Sequence, residues 1–586
     1  MGDAPAFCVA TCPLHIDVRG YIDLINEGEY KQSIALIREK TPFPGILGRV
    51  CAHPCEENCK RQDVENAMSI KNLKRFAADF DDPADWDVET KEITGKEVAI
   101  IGSGPAGALA AYDLQKMGHQ VTIFEALPVV GGMLRVGIPA YRLPGDVIDN
   151  EYKILEDLGV EIRLNTRVGE DIPYDELEED YDAVFIAAGA HKSIMLPVEG
   201  SDLKGVVPGV EFLREVGLTG KPKTGNKVVV VGGGNVAMDV ARTVWRLGAE
   251  EINVICLESR DEMPAHTWEI EDAEEEGIKV NCGWGPLQFN GKDRVESITV
   301  KKCISVFDEE GNFNPSYDED QTREIEADMI IIAIGQQGDI PFLESKKGIE
   351  LSRGNKVKVD EMTLQTDKEN VFAGGDIAGR PLLAIEAMAH GRKAAVSIDR
   401  YLKGEDLYLN REKEGTYETW LEKDIDPEEV SKKRVEMNML PVEERKGNFS
   451  EVELGFNEEE ARSEAERCLQ CECKLCMQEC EMLNDFCVYP KELFQRFLDG
   501  EEIDPLIPYS CNMCSQCTIV CPEEYKMKEL FMDIRKQMIK DNNGKSPIKG
   551  HGAIEIHQLL GFSWLFNTAR PARNPASTSK EESQDV

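Results

Sequence analysis

Glu97-Val-Ala-Ile-Ile-Gly102-Ser-Gly104-Pro105-Ala106-Gly107 is an apolar run that breaks into glycines and then opens the alanine-rich stretch Ala108-Leu-Ala-Ala111. A short apolar run of this kind reads as a strand buried on both faces of a parallel sheet. Gly102 permits the tight turn after it, Gly104 lets backbone approach a pyrophosphate, and Gly107 lets the following helix pack close to the strand. The helix N-terminus stabilises the phosphate charge. A second strand, Val121–Phe124, ends at Glu125, 23 residues after Gly102, where a carboxylate accepts from ribose hydroxyls. Strand, glycine loop, helix and acid in this register specify a dinucleotide-binding βαβ unit.

The pattern returns 130 residues later as Asn226-Lys-Val-Val-Val-Val-Gly232-Gly-Gly234-Asn235-Val236-Ala237, with a helix to about Leu247 and a strand Glu251–Leu257. Alanine in the third glycine position is tolerated there. Two such lobes predict two dinucleotides, FAD and a nicotinamide. Further strands are expected at Met329–Ile334 and in the Val371–Asp376 segment.

The cysteines lie outside these lobes. Cys511, Cys514, Cys517 and Cys521, followed by Pro522, have the C-x2-C-x2-C-x3-C-P spacing in which three thiolates hold one [4Fe–4S] cube and the fourth reaches a second. Structural zinc uses separated C-x2-C knuckles, so a cube fits better. A partner group is present at Cys468, Cys471, Cys473, Cys476, Cys480 and Cys487, but a regular run ending at Cys480 needs a cysteine at 470, which is Gln. Cys471 or Cys468 must stand in, and the expected ligands are Cys471, Cys473, Cys476 and Cys480. At the other end are Cys8, Cys12, Cys51, Cys55 and Cys59, among residues 19–40 and 70–80 that read as helices. Five cysteines predict one [4Fe–4S] site, with Cys12, Cys51 and Cys55 as ligands and Cys8 or Cys59 completing it. The total expectation is about three clusters.

Composition narrows the class. The 586 residues exceed one core and predict roughly three to four domains. A net charge of −42 argues against nucleic acid and anionic membrane as partners. No apolar run is long enough to span a bilayer and no signal sequence is recognisable, so the 18 cysteines at metal spacings predict a reducing, cytoplasmic and plausibly anaerobic setting. No cysteine occurs between 60 and 255, which excludes the redox cysteine pair that disulfide reductases place after the first glycine loop. Cys256, Cys282 and Cys303 are expected to be isolated packing residues, and His191, His266 and His390 to be packing or surface residues.

The expected architecture is an α/β two-lobe dinucleotide-binding flavoprotein flanked by iron–sulfur domains. Residues 1–88 form a helical iron–sulfur domain; 89–205 and 341–408 form the FAD lobe, interrupted by the NAD(P) lobe at 206–340. Residues 409–465 are a largely helix-compatible linker or arm, 466–545 a dicluster ferredoxin-like domain, and 546–586 an extension, expected to be disordered from Pro571.

Residues 1–405 resemble the glutamate synthase small-subunit family of flavoproteins. The matching stretches are Cys12-Pro, Gly48-Arg-Val-Cys-Ala-His-Pro-Cys55, Gly131-Gly132-Met-Leu-Arg135, Ala187-Ala188-Gly189, Gly232–Arg242, Glu262-Met-Pro264 and Phe372-Ala-Gly-Gly375-Asp376. Relatives of that family include the N-terminal part of dihydropyrimidine dehydrogenase and the NADPH-binding subunit of electron-bifurcating, ferredoxin-dependent transhydrogenases. Cys468–Pro522 resembles dicluster ferredoxin domains. The resemblance implies FAD in the first lobe, with Glu125 on its ribose, Gly131, Gly132 and Arg135 along the flavin, Asp376 on the ribityl–phosphate portion, and the helix from Ala384 aimed at the flavin pyrimidine. Ala188, Gly189, Gly335 and Gly375 are expected contacts as well. NADPH users of the family carry Tyr-Arg-Arg after the second strand of the second lobe. Here the segment is Cys256-Leu-Glu258-Ser259-Arg260, in which Glu258 accepts from ribose hydroxyls and repels a 2′-phosphate. Arg260 is the only candidate phosphate partner in the segment, so NAD(H) is favoured over NADP(H). The family often carries two clusters in its N-terminal domain, with a cysteine pair before the position of Cys8 that is missing here.

The function expected is hydride transfer between NAD(P)H and FAD, positioned without a side-chain acid or base. Single electrons then pass through clusters to or from ferredoxin or other redox subunits, in an electron-bifurcating mode if the transhydrogenase analogy holds. The alternatives are a glutamate synthase small-subunit electron donor and an electron-wire scaffold with an inactive flavin site.

Overall fold

A computed structural model describes residues 5–563, apart from 83–85, 87, 221, 344–347, 353, 381, 412–413, 420, 422–424, 426–431, 472–474, 488–489, 522–524 and 562. Cys473, Pro522 and the extension from Pro571 therefore lie outside the described residues. The chain divides into two compact units, one of Ala6–Glu418 with Lys423–Cys471 and one of Met1–Pro5, Thr419–Glu422 and Glu472–Val586.

The larger unit begins with helices α1 (Val18–Glu27), α2 (Tyr30–Arg38), α3 (Pro44–Val50) and α4 (Ile70–Asp79). The single helix expected over 19–40 is broken at Gly28, which caps α1 in the left-handed conformation. The Asp17 side chain accepts from Gly20 N at the other end of α1.

The first lobe is built from β1 (Glu97–Ile101), α5 (Pro105–Lys116), β2 (Gln120–Phe124), α6 (Gly145–Asp157), β3 (Glu161–Arg163) and β4 (Ala183–Ile186). The second contains β5 (Val206–Pro208), α7 (Gly209–Thr219), β6 (Lys227–Val231), α8 (Asn235–Arg246), β7 (Glu251–Cys256), α9 (Thr267–Glu275) and β8 (Lys279–Cys282). An antiparallel sheet of β9 (Trp284–Gly291), β10 (Val295–Phe307) and β11 (Phe313–Glu326) follows, and β12 (Met329–Ile332) returns to the second lobe. The chain re-enters the first lobe with β13 (Val371–Ala373) and α10 (Ala384–Lys403).

The two main sheets are parallel and share one plan. The first has the order β13-β4-β1-β2-β3 and the second β5-β12-β6-β7-β8. In each, the strand that precedes the glycine loop is central, and its burial on both faces explains its unbroken apolar run. Both loops open at the C-terminal edge where strand order reverses, the place such sheets bind ligands.

The segment from 409 to 465 differs from the helical arm expected. Among its described residues only Val442–Arg445 and α11 (Glu458–Ala465) are helical. Gly415, Gly447, Gly455 and Pro441 interrupt the rest, and several of its charges pair with the N-terminal helices. Lys71 pairs with Glu453 at 2.8 Å, Arg75 with Glu451 at 3.0 Å and Arg434 with Glu56 at 2.9 Å. The two compact units meet at 471/472.

The smaller unit has its own core, in which Leu483, Leu493, Phe494, Phe531 and Ile534 pack with Cys476 and Cys517. No described helix is long and apolar enough to cross a membrane.

Candidate functional site

The turn from β1 into α5 forms one wall of a cavity of about 390 Å³. Gly102, Gly104, Pro105 and Ala106 line it, with Glu125, Gly132, Ala188, Gly189, Gly375, Asp376 and Ala384 opposite. Glu125 is 5 % exposed. Its carboxylate accepts from Ser103 N at 2.9 Å, Ser103 Oγ at 2.6 Å and Leu127 N at 2.8 Å, so the acid is locked in place at the end of β2. Asp376 accepts from Leu382 N at 2.8 Å, and burial pushes its carboxyl up. The N-terminus of α10 at Ala384 opens on the same cavity. Glycine-walled backbone, a fixed acid at the strand end and a helix N-terminus are together the donor set an FAD requires.

Gly107 does not face the cavity. It seats α5 on the strand, because a Cβ there would lie 2.0 Å from Gly102 O. Of the Gly131–Arg135 segment, Gly132, Met133 and Leu134 line the cavity. The Arg135 guanidinium is captured by Gly145 O at 2.7 Å and Asp149 at 3.0 Å, and neither it nor Gly131 lines the cavity. Residues not foreseen complete the wall, including Met133, Arg167, Val168, Arg214 and Phe342. Met133 belongs to the Gly131–Arg135 stretch and Arg214 to α7, while Arg167, Val168 and Phe342 lie outside the quoted motifs. His191 also lines it, and burial with Arg214 nearby lowers its imidazole to about 4, so it is neutral at physiological pH.

A second cavity of about 630 Å³ shares Met133, Ile138, Asp376, Leu382 and Ala384 with the first. Asn235, Val236 and Gly335 line it from the second lobe, and Cys51 and His53 from the N-terminal domain. His53 stacks on Trp268, centroids 4.8 Å apart, and Trp268 on His266 at 4.3 Å. Arg142 on its rim is held by Asp239 at 2.7 Å and Glu269 at 2.6 Å. A ligand in this space touches both the FAD cavity and the turn that bears Cys51.

Gly232 and Gly234 form the loop before α8, and the Glu258 carboxylate lies against it, 2.9 Å from where a Cβ on Gly233 would stand. Ser259 Oγ donates to Glu262 at 2.6 Å, and Arg260 pairs with Glu274 at 2.9 Å. Cys256 and Cys282, expected to be isolated, face each other across the β7–β8 register. Burial and Cys282 push the Cys256 thiol up, which leaves it a poor nucleophile and suits a packing role.

Cys12, Cys51 and Cys55 are buried around Lys74, itself 3 % exposed. Burial opposes the Lys74 charge, but the three thiols and Glu56 outweigh it and hold the ammonium up. Cys8 lies near Cys59, Cys468 and Cys471, and shares Tyr21 as a neighbour with Cys12 and Cys55. In the smaller unit Cys476, Cys480, Cys487, Cys511, Cys517 and Cys521 pack around one core, and Cys514 is exposed. Among the described residues no three His, Cys, Asp or Glu side chains converge on a single ion.

Comparison with known proteins returns two family models. Residues 96–391 match the pyridine nucleotide-disulphide oxidoreductase model, and residues 3–86 and 445–530 match dihydropyrimidine dehydrogenase domain II, 4Fe–4S cluster. The NADP(+)-dependent formate dehydrogenase subunit beta of Moorella thermoacetica is 43 % identical over 79 % of this chain and 70 % of that protein. The NADPH-Fe(3+) oxidoreductase subunit beta of Geobacter sulfurreducens is 37 % identical over 79 % of this chain and 75 % of its own length. The glutamate synthase [NADPH] small chain of Escherichia coli is 34 % identical over 68 % of this chain and 89 % of its own.

Proposed function

The chain belongs to the pyridine nucleotide-disulphide oxidoreductase family, and from that premise we propose that it works as the nicotinamide-oxidising or nicotinamide-reducing subunit of a larger redox assembly. It is an FAD and iron–sulfur oxidoreductase, like the relatives named above. FAD, when bound, supplies the exchange between two-electron hydride chemistry and single electrons. The chain's own residues do the rest by placement. Gly102–Gly107 and Glu125 hold the dinucleotide, and the α10 N-terminus favours negative charge beside it. Asn235 and Gly335 line the adjoining space for a nicotinamide ring. Cys51 at the same wall supports a short path for single electrons. The observation that carries this reading is the shared wall of the two cavities.

The nicotinamide we infer is NAD(H). The relatives' names speak of NADP(H), but Glu258 sits against the second glycine loop, and Arg260, the phosphate candidate, is already paired with Glu274. A carboxylate there accepts from a 2′-hydroxyl and repels a 2′-phosphate. Protein partners are expected among redox subunits and ferredoxin, since the appended cysteine domain gives electrons somewhere to go.

Anaerobic stopped-flow of the reconstituted chain, following the flavin band with NADH and separately with NADPH, tests both parts. Faster bleaching by NADH is the expected result. Faster bleaching by NADPH would overturn the Glu258 selection, and bleaching by neither would leave an electron-wire scaffold.

A further inference from the structure

We propose that Cys8, Cys59, Cys468 and Cys471 bind one [4Fe–4S] cluster, so that the N-terminal iron–sulfur domain is completed by a segment more than 400 residues away in sequence.

The placement rests first on how that segment is fastened. Helix α11 packs on α1 and α4, and the turn after it is bolted to the loop that follows Cys59. Arg467 is fully buried. It donates to Asn66 O at 2.7 Å and Ala67 O at 3.4 Å and pairs with Glu464 at 2.7 Å. Arg61, two residues beyond Cys59, donates back to Arg467 O. Glu464 also accepts from Ser69 N at 2.7 Å, Arg19 donates to Cys471 O at 3.4 Å, and Gln470 donates to Asp23 at 3.4 Å. These contacts between residues 19–69 and 464–471 fix the backbone that carries Cys468 and Cys471. Cys8, Cys59 and Cys468 pack against the same hydrophobic core.

The chemistry of the group agrees. Cys8 is enclosed, with Cys59, Cys468 and Cys471 as its thiol neighbours. Four enclosed thiols this close are a set that a cluster can take as thiolates. Iron supplies the positive charge that lets all four lose their protons.

The cysteine count then closes. Assigning Cys471 here explains why the C-terminal run lacks a cysteine at 470. Cys473, Cys476, Cys480 and Cys487 join Cys511, Cys514, Cys517 and Cys521 as eight thiols, the number two cubes take. The 4Fe–4S family model matches both segments that the site joins.

The test uses the full chain, reconstituted with iron and sulfide under anaerobic conditions. Cys8→Ala/Cys59→Ala and Cys468→Ala/Cys471→Ala should each lose about four irons and the same electron paramagnetic resonance signal, with FAD content unchanged. The quadruple variant should lose no more than either pair. Loss of about eight irons in the quadruple variant, or full iron retention without Cys468 and Cys471, would overturn the assignment. If the variants misfold, the unmodified chain is treated with stepwise chelator and iodoacetamide, and its cysteines are mapped by mass spectrometry. Cys8, Cys59, Cys468 and Cys471 should become alkylated as one kinetic group. Cys468 and Cys471 reacting in step with Cys511–Cys521 would equally refute it. None of these readouts depends on hydride transfer, so failure here and failure of the proposed function are separable.

Discussion

The two lobes are built alike and loaded differently. Gly102 has φ +105°, and a Cβ on it would stand 2.6 Å from Ala187 O; Gly232 has φ +143°, with the same clash at 2.2 Å from Ala333 O. Both turns therefore require glycine for conformation and for space. Each lobe also places a glutamate after its second strand. Glu125 is buried and held by three donors, whereas Glu258 is half-buried in a segment whose neighbours, Ser259 and Arg260, are engaged with Glu262 and Glu274. A preorganised acid suits a resident cofactor, and a more open one suits a ligand that must leave each turnover. The largest expected effect separates the lobes. Gly102→Ala should yield a chain purified without flavin absorbance. Gly232→Ala should keep its FAD while bleaching by NADH slows about 100-fold or more, since strain and clash together exceed about 2.7 kcal/mol. Flavin loss in both variants would mean the lobes do not load independently.

Two smaller changes sharpen the contrast. Glu258→Gln removes the charge but keeps an acceptor, so it should leave FAD content intact and lower the NADH-to-NADPH rate ratio about 10-fold, or ~1.4 kcal/mol. An unchanged ratio would place selection elsewhere. Lys74→Met removes a buried positive charge beside Cys12, Cys51 and Cys55. Any cluster on those thiols should become harder to reduce, by roughly 60 mV in an anaerobic redox titration, the equivalent of a tenfold change for one electron. No shift would mean the ammonium does not face the cluster.

Sequence legibility followed locality. Both glycine loops, their strands and Glu125 were readable because every element of a βαβ unit lies within about thirty residues. The strands end within two residues of the expected positions. The pairing of Arg135 with Asp149 was not readable, because Asp149 lies beyond the motif. The 409–465 segment looked helical from its charge content, but those charges answer to Lys71, Arg75 and Glu56 in the N-terminal domain. The partition of the cysteines was hidden for the same reason. Spacing reports ligands that share one loop, and Cys8 and Cys468 share only a place in space.

The first lobe is also fastened to the N-terminal domain in a way the second is not, and this gives the smallest effect. Glu151 on α6 accepts from Gly45 N and from Ile46 N at 2.9 Å, at the start of the helix that ends in Cys51. Burial outweighs those two donors and raises its carboxyl from the ordinary 4.5 to about 7. A raised carboxyl binds its proton more tightly folded than unfolded. Its contribution to stability is therefore greatest below pH 4.5, declines as pH rises to about 7, and is flat above. Glu151→Gln keeps an acceptor and removes the titration. The stability difference between variant and parent should move in the variant's favour from pH 5 to pH 7 by at most about 3 kcal/mol, then level off. Chemical unfolding across that range reads it directly. A difference that stays constant with pH would mean the Glu151 carboxylate is already ionised in the folded chain, held by the α3 backbone donors against its burial.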